Sequence, residues 1–169
     1  MNEAAFLGLG SNLGDRDQQL RDALDGLAGH GITVLAASSV YETAPVGPVR
    51  DQPPFLNMVV RVQGALSPLE LLRRCLEVER QLGRSRERAV AKGPRIIDID
   101  LLLMGQRVER HPELELPHPE LTRRAFVLHP LLELDPELVD PRDGQPLRKG
   151  LTPLLAMQLI TRVGRLEGR

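Results

Sequence analysis

Between residues 5 and 104 the hydrophobic pattern switches repeatedly between strand-like and helix-like periods, and the order of those switches limits the fold more than any single motif. AFLGLG (5–10) is a short apolar run suited to a strand. Residues 15–28 place Leu20, Ala23, Leu24 and Leu27 at helical spacing, and Gly29 and Gly31 end that helix. ITVLAASSVYET (32–43) predicts a second strand. APVGPVRDQPP (44–54) holds four prolines and one glycine, which predicts a loop. FLNMVVRV (55–62) predicts a third strand. Ser67, Pro68 and Glu70 form a helix-start signature, and the helix runs through LELLRRCLEVERQL to Gly83. A basic loop, RSRERAVAK (84–92), leads into a fourth strand, RIIDIDLLLM (95–104).

The order β-α-β-β-α-β predicts an α+β fold of ferredoxin-like type, an antiparallel sheet with two helices on one face. Residues 105–169 are richer in proline and read as an appended C-terminal cap, with a short strand over 108–110 and a helix near 152–160. The last stretch, GRLEGR, is expected to fray. No composition shift marks a second domain, so residues 1–169 read as a single domain.

The apolar run 95–104 is interrupted by Asp98 and Asp100. Alternation along a strand puts Ile96, Asp98, Asp100, Leu102 and Met104 on one face, and Arg95, Ile97, Ile99, Leu101 and Leu103 on the other. Two like charges on one apolar face repel, and an ionised carboxylate taken out of water needs a partner. Two resolutions stand open: a divalent cation shared by the pair, or an internal arginine. Arg84, Arg86, Arg88, Lys92 and Arg95 lie just upstream, opposed in that loop by Glu87. Arginine forks match phosphate oxygens, so carboxylates beside an arginine cluster suit a metal-bound polyphosphate, with a solvated basic surface as the alternative.

PHPELTRRAF adds His118, flanked by prolines, and the pair Arg123–Arg124, a second candidate phosphate group. His30, His111 and His129 lack such company and read as structural. Aromatic residues are scarce at 2%: Phe6, Tyr41, Phe55 and Phe126. Phe55 shares a strand face with Asn57, and Phe126 follows the arginine pair. Two rings and an amide that both donates and accepts suit a flat heterocycle with a mixed edge; Asn57 bonding to a nearby loop backbone is the alternative. GLGSNLGD lacks the lysine of a P-loop and the spacing of a dinucleotide fingerprint, so it reads as a strand-to-helix turn capped by Ser11, Asn12 or Asp15.

Lys plus Arg number 22 against 23 Asp plus Glu, and the isoelectric point is near 6.4, which argues against broad nucleic-acid binding. An RNA-binding module of ferredoxin-like type would expose aromatics on a basic sheet, and this chain has neither in supply. The single cysteine, Cys75, lies in a helical pattern and reads as a small buried hydrophobe. MNEAAFLGLG lacks a basic region before a long apolar run, and no stretch is long enough to span a bilayer, so a cytoplasmic protein is expected.

GLGSNLGD, SSVYETAPVGP, DQPPFLN, GPRIIDIDLLL, LPHPEL and RRAFVLHPL occur here in this order. Together they resemble the 6-hydroxymethyl-7,8-dihydropterin pyrophosphokinase family of folate biosynthesis. The resemblance implies an α/β sandwich of ferredoxin-like type and transfer of the terminal diphosphate of ATP to the pterin hydroxymethyl oxygen, with release of AMP. It implies two Mg²⁺ ions held by Asp98 and Asp100, with Arg84 and Arg95 completing a catalytic set. The pterin would lie between Phe55 and Phe126, read by Asn57 and by the backbone around Thr43, Pro45 and Val46. Nucleotide contacts carry over to Glu79, Arg84, Arg86, Arg95, His118 and Arg124, with Leu72, Ile99 and Leu101 around the adenine. The implied partners are these small molecules, with no nucleic acid or membrane and a monomeric chain. The chain departs from the family pattern at Lys92, where a tryptophan is common, in a basic loop one residue longer, and at Leu76, Glu113 and Glu115.

Overall fold

The computed structural model describes residues 3–45, 47–84 and 93–166. Eight strands and four helices follow one another among these residues. They are β1 (Ala4–Ser11), α1 (Arg16–Gly29), β2 (Thr33–Ala37), β3 (Val40–Thr43), β4 (Phe55–Gln63), α2 (Pro68–Gln81), β5 (Asp98–Met104), β6 (Glu109–His111), β7 (Leu114–Leu116), α3 (Ala125–Leu134), α4 (Leu151–Met157) and β8 (Ile160–Gly164). The main sheet has the order β5-β1-β4-β3-β8, with β2 also on β4, and each pairing is antiparallel. β6 and β7 form a separate hairpin.

Period-two alternation in β1 divides its side chains between two cores. Ala5, Leu7 and Leu9 pack with Leu20, Leu24 and Leu27 of α1 and Cys75 and Val78 of α2. Phe6 turns to the opposite face, where α3 contributes Val127, Leu128 and Leu131 beside Val59 and Leu102. α1 begins at Asp15, whose carboxylate accepts the Gln18 amide at 3.1 Å. α2 begins with a capping box: the Ser67 amide donates to Glu70 at 2.8 Å and the Glu70 amide to the Ser67 hydroxyl at 3.3 Å. The two helices meet at Gly26, where a Cβ would stand 2.7 Å from a Val78 methyl. Cys75 is fully buried, and burial pushes its thiol up to about 12.

Several expectations are corrected. The strand expected over 32–43 breaks at Ser38 and Ser39. There the Ser39 amide and hydroxyl both leave the ladder and donate to Glu133 of α3 at 2.9 and 2.8 Å. The strand carrying the aspartates starts at Asp98, and Ile96 packs with the α1/α2 core. A register shift places one extra β5 residue between the partners of Phe6 and Leu7. Leu102 and Leu103 therefore both face α3, and Met104 joins the α1/α2 core, reversing the expected faces of the last two.

The C-terminal segment is more than an appended cap: α3 covers the second sheet face and β8 extends the sheet beyond β3. AFVLHPLLEL is apolar nearly throughout and contains Pro130, so its helical period was masked in the sequence. The late helix ends at Met157, the short strand is Glu109–His111, and Leu166 is buried in the main core, so the expected fraying does not reach it.

Candidate active site

The antiparallel register aligns one end of four strands. Gly10 lies opposite Asn57 on one side and Asp98 on the other, Gly8 lies opposite Asp100, and Thr43 opposite Phe55. Alternation turns these residues to the α3 face, and the first turn of α3 brings Phe126 over them, next to Arg124. The result is a cavity lined by Thr43, Phe55, Asn57, Arg95, Asp98, Asp100, Arg124 and Phe126, with Gly8 and Gly10 on the β1 side.

Glycine is required at position 10, since a Cβ there would stand 2.8 Å from the Asn57 amide oxygen. Asn57 is buried, and its Nδ2 donates to the Thr43 hydroxyl at 2.7 Å. That bond turns the amide along the sheet rather than toward the 44–54 loop backbone. Each cavity ring carries a guanidinium: Arg95 over Phe55 at 5.4 Å and Arg124 over Phe126 at 5.6 Å from the centroids.

Arg84 donates to Asp98 at 2.5 Å, to Glu79 at 2.9 Å and to the Ile97 carbonyl at 3.1 Å. Arg95 donates to the second Asp98 oxygen at 3.0 Å. The internal-arginine resolution left open by the sequence is thus realised at Asp98. Burial draws the Arg84 guanidinium down, but Asp98 and Glu79 more than offset it, and its pKa is raised. Glu79 is 2% exposed and accepts the Ile99 amide at 2.8 Å, directly between the two aspartates. It sits behind the strand and lines neither cavity.

A second, more open cavity of about 530 Å³ lies along the outer edge of β5. Leu72 and Leu76 of α2, Ile99 and Leu101 of β5, the β6–β7 hairpin and His118 line it, and Asp100 lines both cavities. His118 is fixed by its amide, which donates to the Leu102 carbonyl at 2.9 Å, and its Nδ1 accepts the Glu120 amide at 3.1 Å. The neutral ring therefore carries its proton on Nε2. Burial and the nearby Arg124 charge hold its pKa below the ordinary imidazole range.

Most of the sequence-derived site residues thus gather around two cavities that share Asp100 in their walls. Pro45 is half-buried beside the first, and its neighbour Ala44 provides the lining. Val46 and Arg86, with Arg88 and Lys92, lie outside the described residues. His111, read as structural, lines the second cavity together with Glu113 and Glu115. The sequence reading also missed Gly8 and Gly10 as lining; their spacing of two in GLG, one face of a strand, was the available signal. It missed the part played by Asn12 as well, which caps no helix. Asn12 accepts the Arg95 amide at 2.8 Å and donates to Gln52 and the Pro53 carbonyl at 2.9 Å each, tying the GPR turn to the proline-rich loop.

Asp98, whose two oxygens accept Arg84 and Arg95, and Asp100, which lines both cavities, place hard oxygen donors on one strand face. A site that takes one or two protein carboxylates and leaves its other positions to phosphate and water suits Mg²⁺. The donor set fits such an ion.

The model of the family described as 7,8-dihydro-6-hydroxymethylpterin-pyrophosphokinase (HPPK) matches residues 6–136. A 2-amino-4-hydroxy-6-hydroxymethyldihydropteridine pyrophosphokinase of Bacillus subtilis is 46% identical over 135 residues, 79% of each chain. One of Methylorubrum extorquens is 45% identical over 151 residues, covering 89% of this chain and 92% of the relative. The Folic acid synthesis protein fol1 of Schizosaccharomyces pombe is 44% identical over 154 residues, but this chain spans only 21% of its length. Among solved structures, an HPPK-DHPS in complex with substrates superposes with a TM-score of 0.71 at 14% identity, over 92% of this chain and 44% of the other, a likeness of fold. By the family model and the bacterial relatives, the chain belongs to the HPPK family.

Proposed function

We propose that this chain transfers a diphosphate group from ATP to the hydroxymethyl oxygen of 6-hydroxymethyl-7,8-dihydropterin in folate biosynthesis. The observation that carries the reading is the meeting of two unlike cavities at Asp100: a slot with two rings and a buried amide, and an apolar cleft edged by polar groups. The slot suits a pterin, stacked between Phe55 and Phe126 with Asn57 and Thr43 at its edge. The cleft suits a nucleoside against Leu72, Ile99 and Leu101, which directs the polyphosphate toward the aspartates. Names carried by the bacterial relatives support the same reaction.

In this reading the hydroxymethyl oxygen bonds to the β-phosphorus of ATP and its proton passes to solvent, the bond from that phosphorus to the bridging oxygen of AMP breaks, and AMP leaves. Asp98 and Asp100 would hold Mg²⁺, two ions by the family resemblance, which when bound neutralises phosphate charge and lowers the pKa of the attacking hydroxyl. Arg84 and Arg95, pre-set by Asp98 and Glu79, face the charge that grows on phosphate oxygens. His118, through its Nε2 proton, and Arg124 hold phosphates. Glu79 acts from behind, on the Ile99 amide and Arg84, without touching nucleotide.

The strand order β5-β1-β4 followed by β2 and β3, with α1 and α2 on one face, supports a ferredoxin-like core as the finer description of the fold. No helix among the described residues is long and apolar enough to cross a membrane. Dependence on ATP suits a cytoplasmic enzyme working on small molecules. The test is product analysis with ATP and the pterin alcohol, with and without Mg²⁺. AMP and the pterin diphosphate, formed only with Mg²⁺, are expected; ADP would mean single phosphoryl transfer, and pterin binding without turnover a binding module.

A further inference from the structure

The helix that delivers Phe126 starts without a cap of its own: Arg124 holds the N-cap position and makes no side-chain bond to the first turn. The first amides of a helix lack intrahelical partners and need them from elsewhere. Here one side chain from far along the chain serves. Gln158 Oε1 accepts the Ala125 amide at 2.8 Å, and its Nε2 donates to the Arg123 carbonyl at 2.8 Å. The two backbone groups, one donor and one acceptor, also fix which way the Gln158 amide points. The bonds bracket Arg124, and both Arg124 and Phe126 line the slot.

Gln158 is itself anchored on both sides. Its amide donates to the Leu154 carbonyl at 2.8 Å at the end of α4, and β8 begins two residues later, with Ile160 opposite Thr43. Its neighbours Met157 and Leu159 are 85% and 84% exposed, so Gln158 alone of the three turns to the body of the protein.

We infer that Gln158 is a positioning residue for the pterin slot: its amide clamps the start of α3 and so sets Phe126 and Arg124 against Phe55. The inference rests on the function proposed above. Through it the C-terminal segment, which reaches Thr43 by pairing and Phe126 by the clamp, holds both sides of the slot.

The experiment compares the wild-type chain with Gln158→Ala and Gln158→Glu. It uses amide hydrogen exchange at Ala125, fluorescence titration of the pterin, and thermal unfolding. In Gln158→Ala, exchange at Ala125 rises at least about tenfold and the pterin Kd rises about five- to tenfold, while Tm moves by no more than about 2 °C. Gln158→Glu keeps an acceptor for Ala125 but sets a carboxylate against the Arg123 carbonyl, so its exchange stays near wild type and its Kd falls in between. Wild-type pterin affinity in Gln158→Ala overturns the proposal; if that variant does not fold, wild-type affinity in Gln158→Glu overturns it. A wild-type chain that takes up no pterin sinks the functional reading and the ligand half of the proposal with it, which the first titration reveals before any variant is compared.

Discussion

Glu79 accepts the backbone amide of Ile99 at 2.8 Å inside the protein, so a buried carboxylate on α2 grips the single residue that separates Asp98 from Asp100. The same Oε1 takes Arg84 at 2.9 Å. Glu79→Ala strands an amide and half-releases a guanidinium that is only 10% exposed. It is expected to cost about 2–4 kcal/mol in urea unfolding and at least about tenfold in turnover. Glu79→Gln keeps an acceptor for Ile99 and loses the charge facing Arg84, so it should keep most of the stability but not the activity. Wild-type stability and turnover in Glu79→Ala would remove Glu79 from this role.

Asp98 and Asp100 should each be needed for turnover. Asp98→Asn gives up the charge that organises Arg84 and Arg95, so it should lower both turnover and stability. Asp100, which lines both cavities and lies within electrostatic reach of Arg84, should lose turnover when changed to Asn. A drop of at least about a hundredfold is expected in each, the scale of losing a group that stabilises transferring phosphoryl charge. Calorimetric titration with Mg²⁺ and a non-hydrolysable ATP analogue should lose its metal-dependent heat in both. Near-normal activity in either variant would sink the metal assignment.

What the sequence made legible follows from how local each signal is. Ser67, Pro68 and Glu70 announce α2 because a capping box is complete within four residues, and the Asp98–Asp100 face follows from period two alone. The break at Ser38–Ser39 was invisible because its cause, Glu133, lies 94 residues away in a helix whose own period is hidden by apolar residues on all sides. β8 was missed for a related reason: ITRVG is short, half polar, and strand-like only because the edge of β3 is there to receive it. Within the site, residue types suggested chemistry, whereas the burial of Glu79 and the placing of Gly10 against Asn57 are properties of the packed sheet.

Gly10 tests that packing. Gly10→Ala puts a methyl 2.8 Å from the Asn57 amide oxygen, and the amide must swing away from Thr43 or the strands must part. Either outcome spoils the edge proposed to read the pterin, so its Kd should rise about tenfold while ATP-analogue affinity changes little. Asn57→Ala should do the same by removing the amide. The double variant should lose less than the sum of the two, because without Asn57 the added methyl meets nothing so close. Full additivity in fluorescence titrations would mean that Gly10 acts on something other than Asn57.

His118 predicts a pH dependence whose sign is fixed. Its Nδ1 accepts the Glu120 amide, which a protonated ring cannot do, and burial with the Arg124 charge lowers its pKa below that of a free imidazole. The unfolded chain therefore binds a proton at this position more readily than the folded one. The contribution of the neutral ring is complete above the unfolded imidazole pKa of about 6.5 and is lost as pH falls from there through the lower folded value. His118→Asn, which cannot take up a proton, should abolish that step. Urea unfolding of both chains from pH 8 to pH 5 should thus give stabilities that converge as the solution is acidified. A constant gap would show that folding leaves the His118 proton affinity unchanged, and a widening gap that the folded chain holds that proton more tightly than the unfolded one; either result overturns the lowered pKa.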